Sequence, residues 1–244
     1  MKKVRIISGI KKEYPVQEAY KTLRTNLLFC GEKYRTVLFT SCYENEGKTT
    51  VTLELARSLV QAGKRVLMID ADMRKSVLCK KYIEDFPETP GLSEYLSGQA
   101  ALSDIVLQSE EEENFFLIPC GMFPPNPVEL LGTARFQGLL ESSKETFDCI
   151  LIDTPPLGLV IDSAVAAKAC DGAVLVLRPG LSAHMVNSVK EQLEKSGCPL
   201  LGCVLNGVPV KRDLFYRHYY KHYYRGYYKH NYDAGKNGKI RPTK

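Results

Sequence analysis

An apolar run, a glycine-lysine pair and a second, helix-periodic apolar run together constrain this chain more than any other stretch. Residues 37–41, Val-Leu-Phe-Thr-Ser, predict a buried strand, and residues 49–61 carry apolar side chains at helical spacing. Between them, residues 44–50 have the sequence Glu-Asn-Glu-Gly-Lys-Thr-Thr. A strand that enters a helix through a tight loop is typical of a phosphate-binding loop, because the first helical turn offers unpaired N–H groups and a positive dipole end.

Each polar side chain of this loop has an expected partner in a bound nucleotide. Lys48 is expected to reach the β- and γ-phosphates, the Thr49 hydroxyl to ligate Mg²⁺, and Thr50 to donate near the α-phosphate. The strict pattern G-x-x-x-x-G-K-[ST] is not met, because Cys42 occupies the place of the first glycine. Asn45, which tolerates positive φ, is expected to take over part of that role. For this stretch alone, a chance Gly-Lys-Thr at an ordinary helix start stays open.

Carboxylates follow two further apolar runs. Residues 65–70, Arg-Val-Leu-Met-Ile-Asp, predict a strand buried on both faces, and the segment after it carries Asp70 and Asp72. Residues 149–153, Cys-Ile-Leu-Ile-Asp, end in Asp153 and a Thr-Pro-Pro turn, the pattern of a Walker B strand whose carboxylate holds Mg²⁺ directly or through water. Ligands of open α/β folds bind at such strand ends, so two merely solvated aspartates in a turn are the less favoured alternative.

Strands and helices alternate along the chain, which predicts an α/β fold of the P-loop NTPase class. The expected architecture is a mostly parallel sheet flanked by helices on both faces, with a deviant Walker motif as in partitioning ATPases. Further strands are predicted at 115–119, 172–178 and 200–206, and further helices at 16–28, 128–140, 162–169 and 183–195. Residues 1–14 show no clear period. Residues 83–114 look irregular, with helical pieces near 92–96 and 103–106 and a solvated acidic loop at 110–113.

Charge and aromatic content divide the chain near residue 210. The net charge is +5, but residues 211–244 contain ten basic and two acidic residues, so the remainder is mildly acidic. Residues 216–232 hold eight of the fourteen tyrosines, mostly as pairs separated by basic residues. With few aliphatic side chains to offset ordering entropy, this tail is expected to be disordered. We therefore predict a folded domain at 1–210 and a basic, tyrosine-rich tail at 211–244.

Several classes of protein are disfavoured by composition. No apolar run approaches the roughly 18 residues needed to span a bilayer, and the N-terminal apolar stretch is too short for a signal peptide, so a cytoplasmic chain is expected. The eight cysteines include no C-x-x-C pair, which favours buried free thiols, for example at Cys149 and Cys203, over a metal or disulfide framework.

Taken together, these motifs resemble the bacterial tyrosine kinases of capsular and exopolysaccharide synthesis, over nearly the whole chain. The matching stretches are 18–26 (Glu-Ala-Tyr-Lys-Thr-Leu-Arg-Thr-Asn), 47–50 (Gly-Lys-Thr-Thr), 70–75 (Asp-Ala-Asp-Met-Arg-Lys), 124–131 (Pro-Pro-Asn-Pro-Val-Glu-Leu-Leu), 153–156 (Asp-Thr-Pro-Pro) and the tyrosine cluster. The resemblance implies ATP-dependent phosphorylation of tyrosine with Mg²⁺ as cofactor, and regulation of polysaccharide synthesis and export.

The resemblance also implies partners. It implies a membrane-anchored activator or co-polymerase protein, as in the split Gram-positive form, which would hold the chain at the inner face of the cell membrane. A cognate tyrosine phosphatase and a homo-oligomer, such as a ring, are expected, and nucleic acid is not. Helix 16–28 would form the oligomer through Glu18, Lys21 and Arg24, although charges spaced three apart also suit pairing within the helix. Lys21 stands where the family has arginine, and lysine cannot form arginine's bidentate fork, so this interface is expected to be weaker.

Site residues carried over from the resemblance fall into four groups. Asp72 is the expected base for the tyrosine hydroxyl, Asp70 is expected to act with Lys48 in catalysis, and Asn206 corresponds to the position that contacts adenine in related ATPases. The expected metal site is Thr49, Asp70 and Asp153. The ATP-binding set is Glu44, Asn45, Glu46, Gly47, Lys48, Thr49, Thr50 and Asn206. The expected autophosphorylation sites are Tyr216, Tyr219, Tyr220, Tyr223, Tyr224, Tyr227, Tyr228 and Tyr232.

Two other functions remain open at this point. A switch ATPase of the partitioning or septum-positioning type would share the fold, but it carries a further lysine early in the loop, where this chain has Tyr43, and has no tyrosine tail. A non-catalytic adaptor could use the basic aromatic tail to bind nucleic acid or anionic lipid. The intact carboxylate motifs disfavour the adaptor.

Overall fold

The computed structural model describes residues 2–10 and 13–208. Within that part the strands are β1 (Lys2–Ile6), β2 (Thr36–Ser41), β3 (Val66–Asp70), β4 (Ile83–Glu84), β5 (Leu107–Ser109), β6 (Phe115–Ile118), β7 (Cys149–Asp153), β8 (Gly172–Leu177) and β9 (Leu200–Leu205). The helices are α1 (Tyr14–Phe29), α2 (Lys48–Gln61), α3 (Leu78–Tyr82), α4 (Leu92–Leu96), α5 (Leu102–Ile105), α6 (Pro127–Leu131), α7 (Ala134–Ser143), α8 (Asp162–Ala167) and α9 (Ala183–Lys195).

All of these strands belong to one sheet with the order β4–β1–β5–β6–β3–β7–β2–β8–β9. The pairs β1–β4 and β5–β6 are antiparallel, and the other neighbours are parallel. The mostly parallel sheet predicted from sequence is therefore confirmed. Because β2, β3 and β7 are adjacent and parallel, the loops that follow them leave the same edge of the sheet, where the predicted site residues lie.

Side chains that alternate along the central strands fill two cores, one on each face of the sheet. On β2, Leu38 belongs to one core, while Val37 and Phe39 belong to the other. Helices α1 and α2 cover the second core, for example through Leu55, and α7, α8 and α9 cover the first, for example through Leu193. The prediction of helices on both faces is confirmed.

Elements that depend on distant partners were missed or misplaced by sequence. The segment 1–14 contains β1, whose alternating Val4 and Ile6 are buried, and 83–114 contains β4 and β5 besides the two expected helical pieces. The predicted helix 128–140 is two helices, because Gly132 ends α6 and the Thr133 side chain caps α7 by accepting from the Phe136 N–H at 3.3 Å. Helix α3 had not been predicted.

Two details of side-chain placement differ from what the local sequence pattern indicates. On α1 the packed line is Tyr20, Leu23 and Leu27, whereas Ala19, four residues before Leu23, is exposed. The acidic loop is not simply solvated, since the largely buried Arg57 pairs with Glu112 at 3.2 Å.

All eight cysteines are free thiols, as expected, and four of them are buried. Cys203, which we had placed in the core, is exposed instead, because β9 is the last strand of the sheet. Among the described residues, no helix has both the length and the apolar character that a bilayer crossing needs.

Candidate active site

The loop between β2 and α2 is held in shape by its own backbone and one buried carboxylate. Asn45 has φ 62° and Gly47 has φ 88°, so Asn45 adopts the positive φ expected of it. The Glu46 carboxylate accepts hydrogen bonds from the N–H groups of Cys42, at 2.8 Å, and Tyr43, at 3.0 Å. Glu46 is almost fully buried, so it stabilises the loop from beneath.

The loop after β7 approaches the backbone of Cys42 closely. A Cβ added to Gly158 would lie 2.1 Å from the Cys42 carbonyl oxygen, so only glycine permits this approach. Burial, with a smaller contribution from the Glu46 charge, raises the pKa of the Cys42 thiol to about 11. The thiol is therefore neutral at physiological pH.

Two of the predicted carboxylates lie side by side at the ends of β3 and β7. Asp70 and Asp153 are register partners, and both are buried. Burial raises the pKa of each, and the Asp153 charge raises that of Asp70 further. Lys48 and the Thr49 hydroxyl, which donates to Asp153 at 2.5 Å, oppose the increase at Asp153. The Ser76 hydroxyl donates to Asp70.

The chemistry of this pair fits a divalent cation. Asp153 Oδ1 is buried and accepts no hydrogen bond from any described residue. Two adjacent buried carboxylates are costly unless a positive charge compensates them, and Mg²⁺ is bound by carboxylate and hydroxyl oxygens. Asp153, Asp70 and Thr49 would hold it, the set predicted from sequence.

Asp72 differs from the other two carboxylates because it is partly exposed. Its Oδ1 accepts the backbone N–H groups of Arg74, at 3.3 Å, and Lys75, at 2.9 Å, so the loop after β3 closes into a turn around this side chain. Its own N–H donates to Asp70 at 3.2 Å. A carboxylate that is fixed by its loop yet reachable from solvent can accept a proton from a substrate hydroxyl.

These groups surround a cavity of about 510 Å³. Of the predicted ATP-binding set, Glu44, Asn45, Gly47, Lys48, Thr49, Thr50 and Asn206 line it, together with Asp72. Glu46 does not line it, and Asp70 and Asp153 lie buried beneath.

Asn206 has a contact that the sequence did not indicate. Its Nδ2 donates to the Glu46 carbonyl at 2.9 Å, and a Cβ added to Gly47 would lie 2.2 Å from that nitrogen. Asn206 thus supports the phosphate loop from the end of β9. The contact with adenine expected from the resemblance stays a prediction.

Sequence reasoning gave no individual role to several side chains at or near the cavity. The Arg74 guanidinium pairs with the buried Asp162 at 2.8 Å, and Lys75 pairs with Glu44 at 2.6 Å. The Tyr82 hydroxyl lies 2.6 Å from that of Thr50. Arg74 and Lys75 belong to the matching stretch 70–75. Asp162 is one of three charged residues in the mostly apolar stretch 159–177, where a charge is a candidate for a paired buried group.

The expected oligomer contacts on α1 are engaged within the chain. Lys21 pairs with Glu18 at 2.7 Å, and the Arg24 guanidinium donates to the Ser58 carbonyl on α2 at 2.7 Å. Their role between subunits stays a prediction. The tail tyrosines predicted to be modified lie outside the residues that the structure describes.

Fold and site define a P-loop nucleotide-binding protein, and comparison with known proteins narrows this class. A family model described as an AAA domain matches residues 45–191. The tyrosine-protein kinase CpsD of Streptococcus agalactiae is 42% identical over 202 residues, covering 82% of this chain and 87% of that protein. The tyrosine-protein kinase YwqD of Bacillus subtilis is 32% identical over 205 residues, covering 83% and 85%. The chain therefore belongs to the bacterial tyrosine-protein kinase family and is an enzyme of the protein-tyrosine kinase class.

Solved structures agree with this assignment. The chimerical protein CapA2B2 superimposes with a TM-score of 0.76 at 28% identity, covering 85% of this chain and 93% of that one. The kinase domain of the Escherichia coli tyrosine kinase ETK gives 0.75 at 35% identity, covering 82% and 78%. The septum site-determining protein MinD of Pyrococcus horikoshii, in complex with Mg-ADP, gives 0.58 at 27% identity, covering 72% and 74%. The switch-ATPase alternative thus shares the fold but is the more distant relative.

Proposed function

We propose that this chain transfers the γ-phosphoryl group of ATP to tyrosines of its own C-terminal cluster, and that this modification regulates capsular or exopolysaccharide synthesis and export. The observation that carries the proposal is the arrangement of carboxylates beside the phosphate loop. Buried Asp70 and Asp153 lie in register beneath the loop, and partly exposed Asp72 faces the cavity.

The roles of the side chains follow from this arrangement. Lys48, at the first turn of α2, binds the β- and γ-phosphates, and the N–H groups of that turn orient them. A tyrosine hydroxyl has a pKa of roughly 10, so its attack at neutral pH benefits from a carboxylate that accepts the proton. Asp72 is that carboxylate. When bound, Mg²⁺ neutralises charge on the phosphate oxygens.

The charges of the two parts of the chain favour the tail as acceptor. The tail has a net charge of +8 by composition, and the remainder is acidic, so the unmodified tail is attracted to acidic active sites. We propose that transfer occurs in trans between protomers. Each phosphotyrosine adds about −1.5 to −2 at neutral pH, so four or five of them would cancel the tail's charge and favour dissociation of the oligomer.

Mixing a chain that lacks catalysis with a chain that lacks the tail tests transfer in trans. A full-length Lys48→Met chain supplies the tail tyrosines without catalysis, and a chain truncated after Val210 supplies catalysis without the tail tyrosines. With Mg-ATP, anti-phosphotyrosine detection is expected to show label on the full-length chain in the mixture and none in either sample alone. An unlabelled mixture, when active full-length chain labels itself, would rule out transfer in trans.

Light scattering tests the switch. We expect the unmodified full-length chain to be larger in solution than its fully phosphorylated form. The chain truncated after Val210 serves as the control, since nucleotide and metal act on it without a tail to modify. Equal masses for the unmodified and phosphorylated forms would contradict the switch.

Partners are proposed on the resemblance alone. We propose that a membrane-anchored activator recruits the chain to the inner face of the cell membrane and raises its activity, and that a tyrosine phosphatase reverses the modification. Adding the activator's cytoplasmic segment to the purified chain is expected to increase autophosphorylation. Full activity that no such segment alters would contradict this proposal.

A further inference from the structure

Arg74 and Asp162 form an ion pair that joins two loops at the edge of the cavity. Arg74 lies on the loop after β3, and Asp162 begins α8, after the loop that follows β7. The Arg74 Nε donates to Asp162 Oδ2 at 2.8 Å. The Asp162 side chain is fully buried, whereas that of Arg74 is 43% exposed and lines the cavity. The carboxylate is therefore inside the fold, and the guanidinium is at the surface of the site.

Only one nitrogen of Arg74 and one oxygen of Asp162 take part in this ion pair. Nε is the nitrogen that Arg74 uses, and its two terminal nitrogens form no hydrogen bond or ion pair with any described residue. Arginine frequently binds carboxylates with two parallel N–H bonds. On the other side, Asp162 Oδ1 is buried and has no partner among the described residues. The pair fixes the guanidinium at Nε and leaves its terminal donors unused.

The place of Arg74 in its loop indicates where those donors lie along a bound substrate. Its backbone N–H donates to Asp72, the carboxylate to which we assign the tyrosine proton. The base must lie near the hydroxyl that attacks the γ-phosphorus, so Arg74, two residues away in the same turn, belongs to the γ-phosphate end of the cavity. A planar guanidinium with free terminal N–H groups matches the oxygens of a phosphoryl group.

We propose that Arg74 is a further catalytic residue, which donates hydrogen bonds to the phosphoryl group as it is transferred, and that Asp162 is a positioning residue that acts through Arg74. The proposal rests on the phosphotransfer function proposed above. Negative charge spreads over the equatorial oxygens in the transition state, and a pre-positioned arginine stabilises that charge. Asp162 holds the guanidinium before substrate arrives, so less side-chain entropy is lost when the donors engage.

The main test separates transition-state binding from ground-state binding. We compare Arg74→Gln with Lys190→Gln, which removes one charge from an exposed ion pair on α9. Arg74→Gln is expected to reduce kcat by ~10²–10³-fold with little change in KM for ATP. It should bind Mg-ADP within about threefold of the wild type but bind Mg-ADP with aluminium fluoride at least ~10-fold more weakly. Lys190→Gln should match the wild type throughout.

A double-mutant cycle tests the role of Asp162. Asp162→Asn alone is expected to reduce kcat less than Arg74→Gln does, and the double variant should be no worse than Arg74→Gln. Losses that multiply in the double variant would show that Asp162 does not act through Arg74. Urea unfolding of each variant gives the change in stability separately.

If Asp162→Asn does not fold, Arg74→Lys still decides the proposal. It keeps the positive charge but loses Nε and the planar fork, and we expect most of the kcat loss of Arg74→Gln. The proposal is overturned if Arg74→Lys keeps wild-type kcat, or if Arg74→Gln weakens Mg-ADP and its fluoroaluminate complex equally. Absence of tyrosine labelling by the wild-type chain would instead refute the proposed function, and the nucleotide-binding comparison would still report on Arg74.

Discussion

Two sets of buried carboxylates near the same edge of the sheet, Glu94 alone and the pair Asp70 and Asp153, have pKa values shifted in opposite directions. Glu94 on α4 accepts hydrogen bonds from the N–H groups of Gly91, at 2.8 Å, and Met122, at 3.0 Å, and from the Ser93 hydroxyl. Burial alone would raise the pKa of Glu94, but these bonds outweigh it and lower the pKa. At Asp70 and Asp153, burial raises the pKa of both.

The difference separates an acid that stabilises the fold from acids that the fold holds for a ligand. Glu94 ties the loop after β6 to α4, and Gly121 in that loop has φ 80°, which residues other than glycine rarely adopt. The donors around Glu94 satisfy its charge. Asp70 and Asp153 lie side by side and accept hydrogen bonds from two hydroxyls and one N–H group, so their charge is compensated in full only when a cation binds.

The largest effect is expected at Lys48, the side chain that we assign to the β- and γ-phosphates. Lys48→Met should abolish autophosphorylation, a loss of at least ~10³-fold, because the γ-phosphoryl charge loses its point-charge partner. The fold should remain intact. Radiolabel transfer from ATP measures the loss, and Lys195→Met on the exposed side of α9 is the matched control. A Lys48→Met chain that still labels would mean that the phosphate-loop assignment is wrong.

Asp72 should show the next largest effect, again on turnover. Asp72→Asn is expected to lose about 10²–10⁴-fold in kcat and to keep Mg-ATP affinity, because a base is needed for transfer and not for binding. Single-turnover transfer and equilibrium titration of Mg-ATP measure the two quantities. Unchanged turnover would move the base elsewhere, with Asp70 next in line.

Glu94 should affect stability. Glu94→Gln is expected to lower the free energy of unfolding by about 1–3 kcal/mol, because an amide NH₂ would face backbone donors. Since the pKa of Glu94 is lowered in the folded protein, its contribution is present above roughly pH 4.3 and is lost as pH falls through the folded-state pKa. Urea unfolding should therefore show a smaller difference between the two proteins at pH 3.5 than at pH 7. If Glu94→Gln and the wild type were equally stable at pH 7, Glu94 would not be an acid that stabilises the fold.

Sequence predicted the parts of the molecule whose pattern is local. The continuous apolar strands β2, β3, β7 and β8 were found within one or two residues of their bounds, and α9 has the predicted bounds Ala183–Lys195. The loop motif and its carboxylates were also found, because strand ends mark their place. Short strands such as β1 and β5 depend on the partners they pair with, which local periodicity does not show.

The contacts between side chains could not be predicted for the same reason. Arg74 and Asp162 are 88 positions apart, and Glu94 reaches Met122 across 28. Nothing in either local sequence indicates its partner. The opposite pKa shifts of Glu94 and Asp153 likewise depend on which donors the fold places around each carboxylate.

The smallest effect, opposite in sign, is expected at Asp153. In EDTA, Asp153→Asn should raise the free energy of unfolding by about 1 kcal/mol, because the amide removes one of two adjacent buried charges yet can still accept from Thr49. Asp171 provides the matched Asp→Asn control, since its carboxylate accepts the N–H groups of Arg35 and Thr36 and pairs with Lys144. Asp171→Asn should therefore destabilise the protein.

Mg²⁺ should stabilise the wild type and not Asp153→Asn, because binding to the folded state alone shifts the unfolding equilibrium. If Asp153→Asn destabilised the metal-free protein as Asp171→Asn does, Asp153 would be a structural acid like Glu94, and the proposed distinction between the two sets would fail.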